Sequence, residues 1–249
     1  MATEPKSNGA EPDAAHFAAY SGLVWRLVES QNRISTDRLV EDPGDQELLE
    51  ALVEEVKPPI PVEARHLPTL LATPFRYWHQ SESRFRRATE KPGILYASEA
   101  EQTSVAETAF WRLKFLSRSE GVQAPKNIIE HTSFRAGAGA DRMLDLTMEP
   151  YVQRRAEWTD PDDYSACQDF ASKARGIETD LVRYESVRDP EGRANVAIFE
   201  PRSVEGASLE IVRSWHFRFE SGKLTAYAAF PSAEHLVFTF EQFGLATAS

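Results

Sequence analysis

The sequence predicts a single α+β domain. Helical periodicity is concentrated on the N-terminal side, strand-like apolar patterns fill the C-terminal third, and the middle mixes the two without a regular strand–helix alternation. At 249 residues, with 41% hydrophobic and 10% aromatic content, the chain can bury one substantial core. The expected organisation is a disordered tail over residues 1–12, a helical N-terminal region over 13–72 packed on the domain, and a main domain over 73–249 that carries the site.

Taken in order, residues 13–31 read as mainly helical, with Asp13 as N-cap, although Trp25–Glu29 also fits a strand. Residues 43–56 read as an amphipathic helix with Leu48, Leu49, Leu52, Val53 and Val56 opposite an acidic face, stopped by the Lys57–Pro61 segment. His66–Ala72 predicts one more helical turn before Pro74. Gly93–Ala97 is a short buried strand, and Ser98 with Glu101 forms a capping-box signature for a helix running to about Ser117. Asn127–Phe134 and Met143–Leu146 read as strands joined by a turn at 135–141. Glu149–Glu157 and Asp163–Ala174 read as helices. Strands follow at Leu181–Tyr184, Asn195–Phe199, Leu209–Phe219 and Lys223–Phe230, with a hairpin turn at 220–223.

Composition narrows the function classes. The N-terminus lacks a positive n-region and an apolar h-region, so no secretory signal is expected, and no run approaches the roughly 18 apolar residues of a membrane span. The single cysteine, Cys167, excludes an internal disulfide and a paired-cysteine metal site, and makes the reducing cytoplasm the default location. The histidines show no metal-binding spacing, so no metal is expected, and His79 reads as a surface residue. A net charge of −11 argues against direct nucleic-acid binding. Within this acidic chain, residues 76–91 concentrate Arg76, Arg84, Arg86, Arg87 and Lys91 against Glu82 and Glu90, a pattern suited to a small anionic ligand and equally to a solvated patch.

The stretch 73–111 places Arg76, Arg84, Tyr96 and Glu107 around one strand and the start of one helix. Guanidiniums match phosphate oxygens, an aromatic ring can stack on a base, and a carboxylate can support a cationic sugar. Together these groups suit cleavage of the nicotinamide–ribose bond of NAD+. On spacing alone, a surface arginine cluster, a packed tyrosine and a solvated helix glutamate explain the same residues.

Further motifs bear on that choice. Thr73–Tyr77 (TPFRY), Ser83–Phe85 (SRF), Gly93–Tyr96 (GILY) and Val105–Glu107 (VAE) are followed by Tyr184, Ser186 and the strand Asn195–Phe199. In order and spacing this set, covering roughly Arg76 to Phe199, resembles the RES-domain family, named for its arginine, glutamate and serine. The resemblance implies a fold similar to ADP-ribosyltransferase toxins and an NAD+-consuming toxin paired with a small Xre-type antitoxin. NAD+ is then the substrate, no cofactor is required, and inorganic phosphate, water or a protein side chain is the acceptor. By position, Arg76 and Arg84 correspond to substrate-binding arginines, Tyr96 to a ring-stacking tyrosine, Glu107 to the catalytic glutamate and Ser186 to the serine. Arg84 and Ser186 join Glu107 as catalytic candidates. Two positions depart from the pattern: Glu82 stands where glycine is usual, and Glu185 where proline is usual. An NAD+ phosphorylase or glycohydrolase is the first expectation. A protein ADP-ribosyltransferase with the same site, and a non-catalytic interaction module of this fold, are the alternatives. A homo-oligomer stays open.

Overall fold

The computed structural model describes residues 11–29, 57–77, 82–88, 90–118 and 127–246. The expected acidic helix at 43–56, His79 and nearly all of the tail at 1–12 lie outside these residues. The strands are β1 (Ala18–Glu29), β2 (Leu95–Ser98), β3 (Ile129–Asp145), β4 (Leu181–Glu185), β5 (Ala194–Ile198), β6 (Val204–Glu220), β7 (Lys223–Ala228) and β8 (His235–Thr239). They form one sheet in the order β1-β2-β5-β4-β3-β6-β7-β8. Because β1 also pairs with β3, the first five strands in that order close on themselves, and β6–β8 extend outward from β3. Only β3 and β4 run parallel. The helices α1 (Thr69–Arg76), α2 (Glu101–Arg118), α3 (Arg155–Trp158) and α4 (Ser165–Gly176) complete an α+β domain. No helix among the described residues is long and apolar enough to cross a membrane.

Residues 18–29 are a strand and not the expected helix. Val24 enters one buried cluster with Leu71, Phe75 and Phe134, while Leu27 enters another with Phe110 and Trp215. Burial on both faces erases the alternation that marks a half-exposed strand and leaves a spacing that imitates a helix. Asp13 does cap, but it caps a short 3-10 turn at Ala14–His16, accepting from the Ala15 amide at 2.9 Å.

The expected turn at 135–141 is the middle of β3. That strand is paired along one edge with β1 and along the other with β6. Its small residues answer to crowding: a Cβ added at Gly137 would lie 2.4 Å from the Glu205 carboxylate. Helix α1 runs on through Pro74, which sits near its end and removes one backbone hydrogen bond. Residues 149–158 fold as a 3-10 turn, Tyr151–Arg154, followed by α3. Strand β8 has no counterpart among the predicted strands. At 220–223 the predicted hairpin turn joins β6 to β7, with both Ser221 and Gly222 at positive φ.

Helix α2 buries the predicted stripe (Val105, Ala106, Ala109, Phe110, Leu113 and Leu116) against Trp215, Phe217, Leu224 and Phe238. Its N-terminus departs from the capping-box expectation. The Ser98 hydroxyl donates to Asn195 Oδ1 at 2.7 Å. The Glu101 carboxylate is drawn inward, where Ser133 Oγ (2.6 Å), Trp215 Nε1 (2.8 Å) and the Arg213 guanidinium donate to it. A buried carboxylate bonded by charged and neutral donors outcompetes a surface cap.

Candidate active site

A cavity of about 290 Å³ is lined from β1, the turn at 83–86, β2, α2, β4 and the loop after it, β5, and Tyr164 ahead of α4. Ser83 and Arg86 close the turn with reciprocal backbone bonds, Ser83 N to Arg86 O at 2.8 Å and Arg86 N to Ser83 O at 3.2 Å, leaving Arg84 and Phe85 at its tip. Tyr96 pins this turn from β2. Its hydroxyl accepts from the Phe85 amide at 3.1 Å and pairs with Ser83 Oγ at 2.9 Å. Burial raises the Tyr96 pKa, so the group stays a neutral phenol. Tyr96→Phe is therefore expected to lower stability by about 1–2 kcal/mol, read as a lower denaturation midpoint in urea, because the Phe85 amide loses its acceptor. An unchanged midpoint would show that the phenol does not hold the turn.

Glu107 lies in the second turn of α2 and reaches into the cavity. Its Oε1 accepts from Ser186 Oγ and from Asn195 Nδ2, both at 2.7 Å, and Asn195 is itself oriented by Ser98. Oε2 has no hydrogen-bond partner among the described residues, so one oxygen of a fixed carboxylate is left free at the cavity wall. Ser186 is buried behind it. The Ser186 hydroxyl also accepts from the Arg188 and Asp189 amides at 3.2 and 3.1 Å, so its donor and acceptor capacity is used. The structure thus places Ser186 as the residue that orients Glu107. It does not line the cavity.

Three guanidiniums line the cavity, against the one carboxylate of Glu107. Arg84 donates to the carbonyls of Trp158 (2.7 Å) and Asp160 (2.9 Å) and lies 4.7 Å from the Tyr164 ring centroid. Arg26, from β1, donates to the Tyr96 carbonyl at 3.2 Å, and burial pushes its pKa down to about 10, so it remains charged at neutral pH. Arg188 donates to the Pro161 carbonyl at 2.7 Å. All three are held by neutral carbonyls, and none is paired with a carboxylate among the described residues. The nearby acids are engaged elsewhere: Asp160 Oδ1 accepts from the amides of Asp162 and Asp163, and Asp189 accepts from Arg193 and Thr103. Partly desolvated cations without counter-charges favour an anionic ligand.

The structure therefore brings Arg84, Tyr96 and Glu107 together at the cavity, with Ser186 directly behind. Arg76 is not with them. It ends α1 in a buried position, donates from Nε to the Pro58 carbonyl and does not line the cavity. Arg26, Arg188 and Asn195 were not anticipated from sequence. The available signals were an arginine inside the apolar Trp25–Val28 run and an asparagine inside the buried Ala194–Ile198 strand, since a polar group there must find partners. The two departures from the family pattern also point away from the cavity. Glu82 accepts from Gln168 Nε2 at 3.0 Å, and Glu185, on the opposite face of β4 from Tyr184, pairs with Arg155 at 2.5–2.6 Å.

No curated protein matches the chain. Among solved structures, the M. tuberculosis MbcT–MbcA toxin–antitoxin complex is similar at a TM-score of 0.45 and 12% identity, over 80% of this chain and 86% of that one. The family model described as the RES domain matches residues 60–220. That match spans well over half of the chain, from before α1 to the end of β6, and includes Ser98, Glu107, Ser186 and Asn195; the chain belongs to the RES-domain family.

Proposed function

We propose that the cavity binds NAD+ and that the protein cleaves its nicotinamide–ribose bond, acting as the toxin of a toxin–antitoxin pair with a small Xre-type antitoxin as partner. The observation that carries this reading is a fixed, half-satisfied carboxylate, Glu107, facing a cavity lined by guanidiniums without acidic partners. Arg84 and Arg26 hold the diphosphate. Glu107 meets the ribose hydroxyls and the positive charge that develops on the sugar as neutral nicotinamide departs. Ser186 and Asn195 keep the carboxylate in that pose. Membership in the RES-domain family supports both the substrate and the toxin role.

The test is NAD+ concentration over time with purified protein, with and without inorganic phosphate, and with the ribosyl product identified. Faster loss with phosphate indicates phosphorolysis, and phosphate-independent loss with free ADP-ribose indicates hydrolysis. Label transferred from NAD+ to a protein would indicate ADP-ribosyl transfer at the same site. No NAD+ loss by folded protein in any arm would sink the reading. The non-catalytic alternative rested on Glu82 and Glu185, whose carboxylates are taken up by Gln168 and Arg155.

The proposed role of Arg26 as the second diphosphate-binding arginine has its own test. Arg26→Met and Arg84→Met are each expected to weaken NAD+ binding by about tenfold or more, the scale of one charge-assisted contact. Arg76→Met should leave affinity within about threefold in any variant that folds. Equal losses for Arg26 and Arg76 in calorimetric titration would contradict the proposal.

A further inference from the structure

A second cavity, of about 500 Å³, opens along α2 and is larger than the one that Glu107 faces. Helix positions 108, 111, 112, 115 and 116 form one wall, a single face by their spacing. The start of β3, the end of β6 and Leu224 of β7 form the others. Thr108 and Trp111 line both cavities, so the two are neighbours along the same helix. Four rings (Trp111, Phe115, Phe217 and Phe219) supply most of the apolar surface, and no acidic side chain lines the cavity among the described residues. Trp111 and Phe115 are 53% and 67% exposed at its rim. The size and the apolar walls with a few polar groups match a small-molecule site.

The polar end of this cavity offers donors. His131 is 4% exposed, and its Nε2 accepts from Arg112 Nη2 at 2.9 Å and Nε at 3.3 Å. A guanidinium only donates, so the ring proton sits on Nδ1. Burial and the Arg112 charge push the His131 pKa down to about 4, which keeps the ring in this neutral form. Nδ1 is buried; the Ile129 carbonyl is near it, but no hydrogen bond forms among the described residues. A buried donor in that state favours an incoming acceptor oxygen. Arg112 uses Nε and Nη2 for His131 and Glu29, and its Nη1 has no partner among the described residues. The Glu29 side chain is largely exposed, so its charge is well screened, and the Lys114 ammonium adds positive charge 5.2 Å from the Trp111 ring centroid. We propose that this cavity is a second ligand site that takes a bicyclic aromatic carboxylate, with the rings between the aromatic walls and the carboxylate at Arg112 Nη1 and His131 Nδ1. A single ring would leave much of the volume empty. The site does not depend on the dinucleotide reading of its neighbour.

Calorimetric titration of 1-naphthoate tests the site. Saturable binding to wild type is expected, weakened by at least about tenfold in Arg112→Met and in His131→Phe. The phenyl ring keeps the edge contact that His131 makes with Phe217, 4.8 Å between centroids, and removes the donor. Arg84→Met, in the main cavity, should change naphthoate affinity by less than about threefold, and 1-naphthalenemethanol, which lacks the charge, should bind wild type at least about tenfold more weakly. Absence of saturable binding overturns the proposal, as does an affinity that ignores both Arg112 and His131. A loss confined to Arg84→Met also overturns it, because the anion then sits in the main cavity, and equal affinity for the alcohol removes the carboxylate. Should both variants fail to fold, nuclear Overhauser contacts in wild type decide: contacts from naphthoate to Phe217 and Phe219 support the site, and contacts to Tyr96 and Tyr184 in their place overturn it. Naphthoate binding without NAD+ turnover would keep this site and sink the dinucleotide reading. NAD+ turnover without naphthoate binding would do the reverse.

Discussion

Glu107→Gln is expected to slow nicotinamide release by about 10²–10³-fold while leaving the thermal midpoint close to that of wild type, the scale seen when one preorganised electrostatic group is removed. The substitution is nearly isosteric. Its amide oxygen can keep both donors, Ser186 Oγ and Asn195 Nδ2, that reach Oε1 at 2.7 Å. The amide nitrogen then replaces Oε2, the oxygen facing the cavity, so a negative charge is removed and little else changes. The effect should fall on kcat more than on NAD+ affinity, because the charge matters most when the ribose is cationic. Asn195→Ala and Ser186→Ala should each slow the reaction by about tenfold or more, and their combination by less than the product, since both act through the same carboxylate. Full activity in Glu107→Gln would remove the carboxylate from the mechanism.

The largest effect on stability is expected at Glu101. Its carboxylate is 5% exposed and accepts from Ser133, Trp215 and Arg213, tying α2 to β3 and β6. Glu101→Ala leaves the indole N–H and the serine hydroxyl without their acceptor and strips Arg213 of one of its two carboxylate partners, Glu234 being the other. The expected cost is about 3–5 kcal/mol, the range for breaking a buried charge pair. For a domain of this size that is a fall in Tm of about 6–20 °C.

The same group shapes the acid limb of stability. Burial alone pushes the Glu101 carboxyl up, but the bonds from Arg213, Ser133 and Trp215 outweigh it and hold the pKa below the ordinary 4.5. The folded value is the lower one. The stabilisation is therefore complete above about pH 4.5, where the carboxyl is ionised in both states, and is lost as pH falls through the folded value. Urea midpoints measured downward from pH 6 should drop less steeply in Glu101→Ala than in wild type. Parallel curves would show that Glu101 is not a major proton-linked group.

Helix α2, its buried stripe and Glu107 in its second turn were legible because an amphipathic helix with one wet face announces its period. The 220–223 hairpin was legible from its turn residues and flanking strands. Strands β1 and β3 were not. Each is covered on both faces or paired on both edges, so apolar spacing in β1 imitates a helix and the alanine–glycine run in β3 imitates a turn. Arg26 lies on β1 and lines the cavity, whereas Arg76, expected from the TPFRY motif, ends α1 away from it.

By itself the sequence determined the α+β class, the family motifs, and that Arg84, Tyr96 and Glu107 belong to one short region, because local periodicity and motif spacing act over a few turns of chain. Only the tertiary structure decided which arginines face Glu107, that Ser186 and Asn195 orient its carboxylate, and that Glu82 and Glu185 turn away. Those relations join β1, the turn at 83–86, α2 and the loop after β4 from distant parts of the chain (Ser186 and Asn195 reach Glu107 from 79 and 88 positions away). Their geometry follows from closure of the sheet and burial of three cores, which no local spacing records.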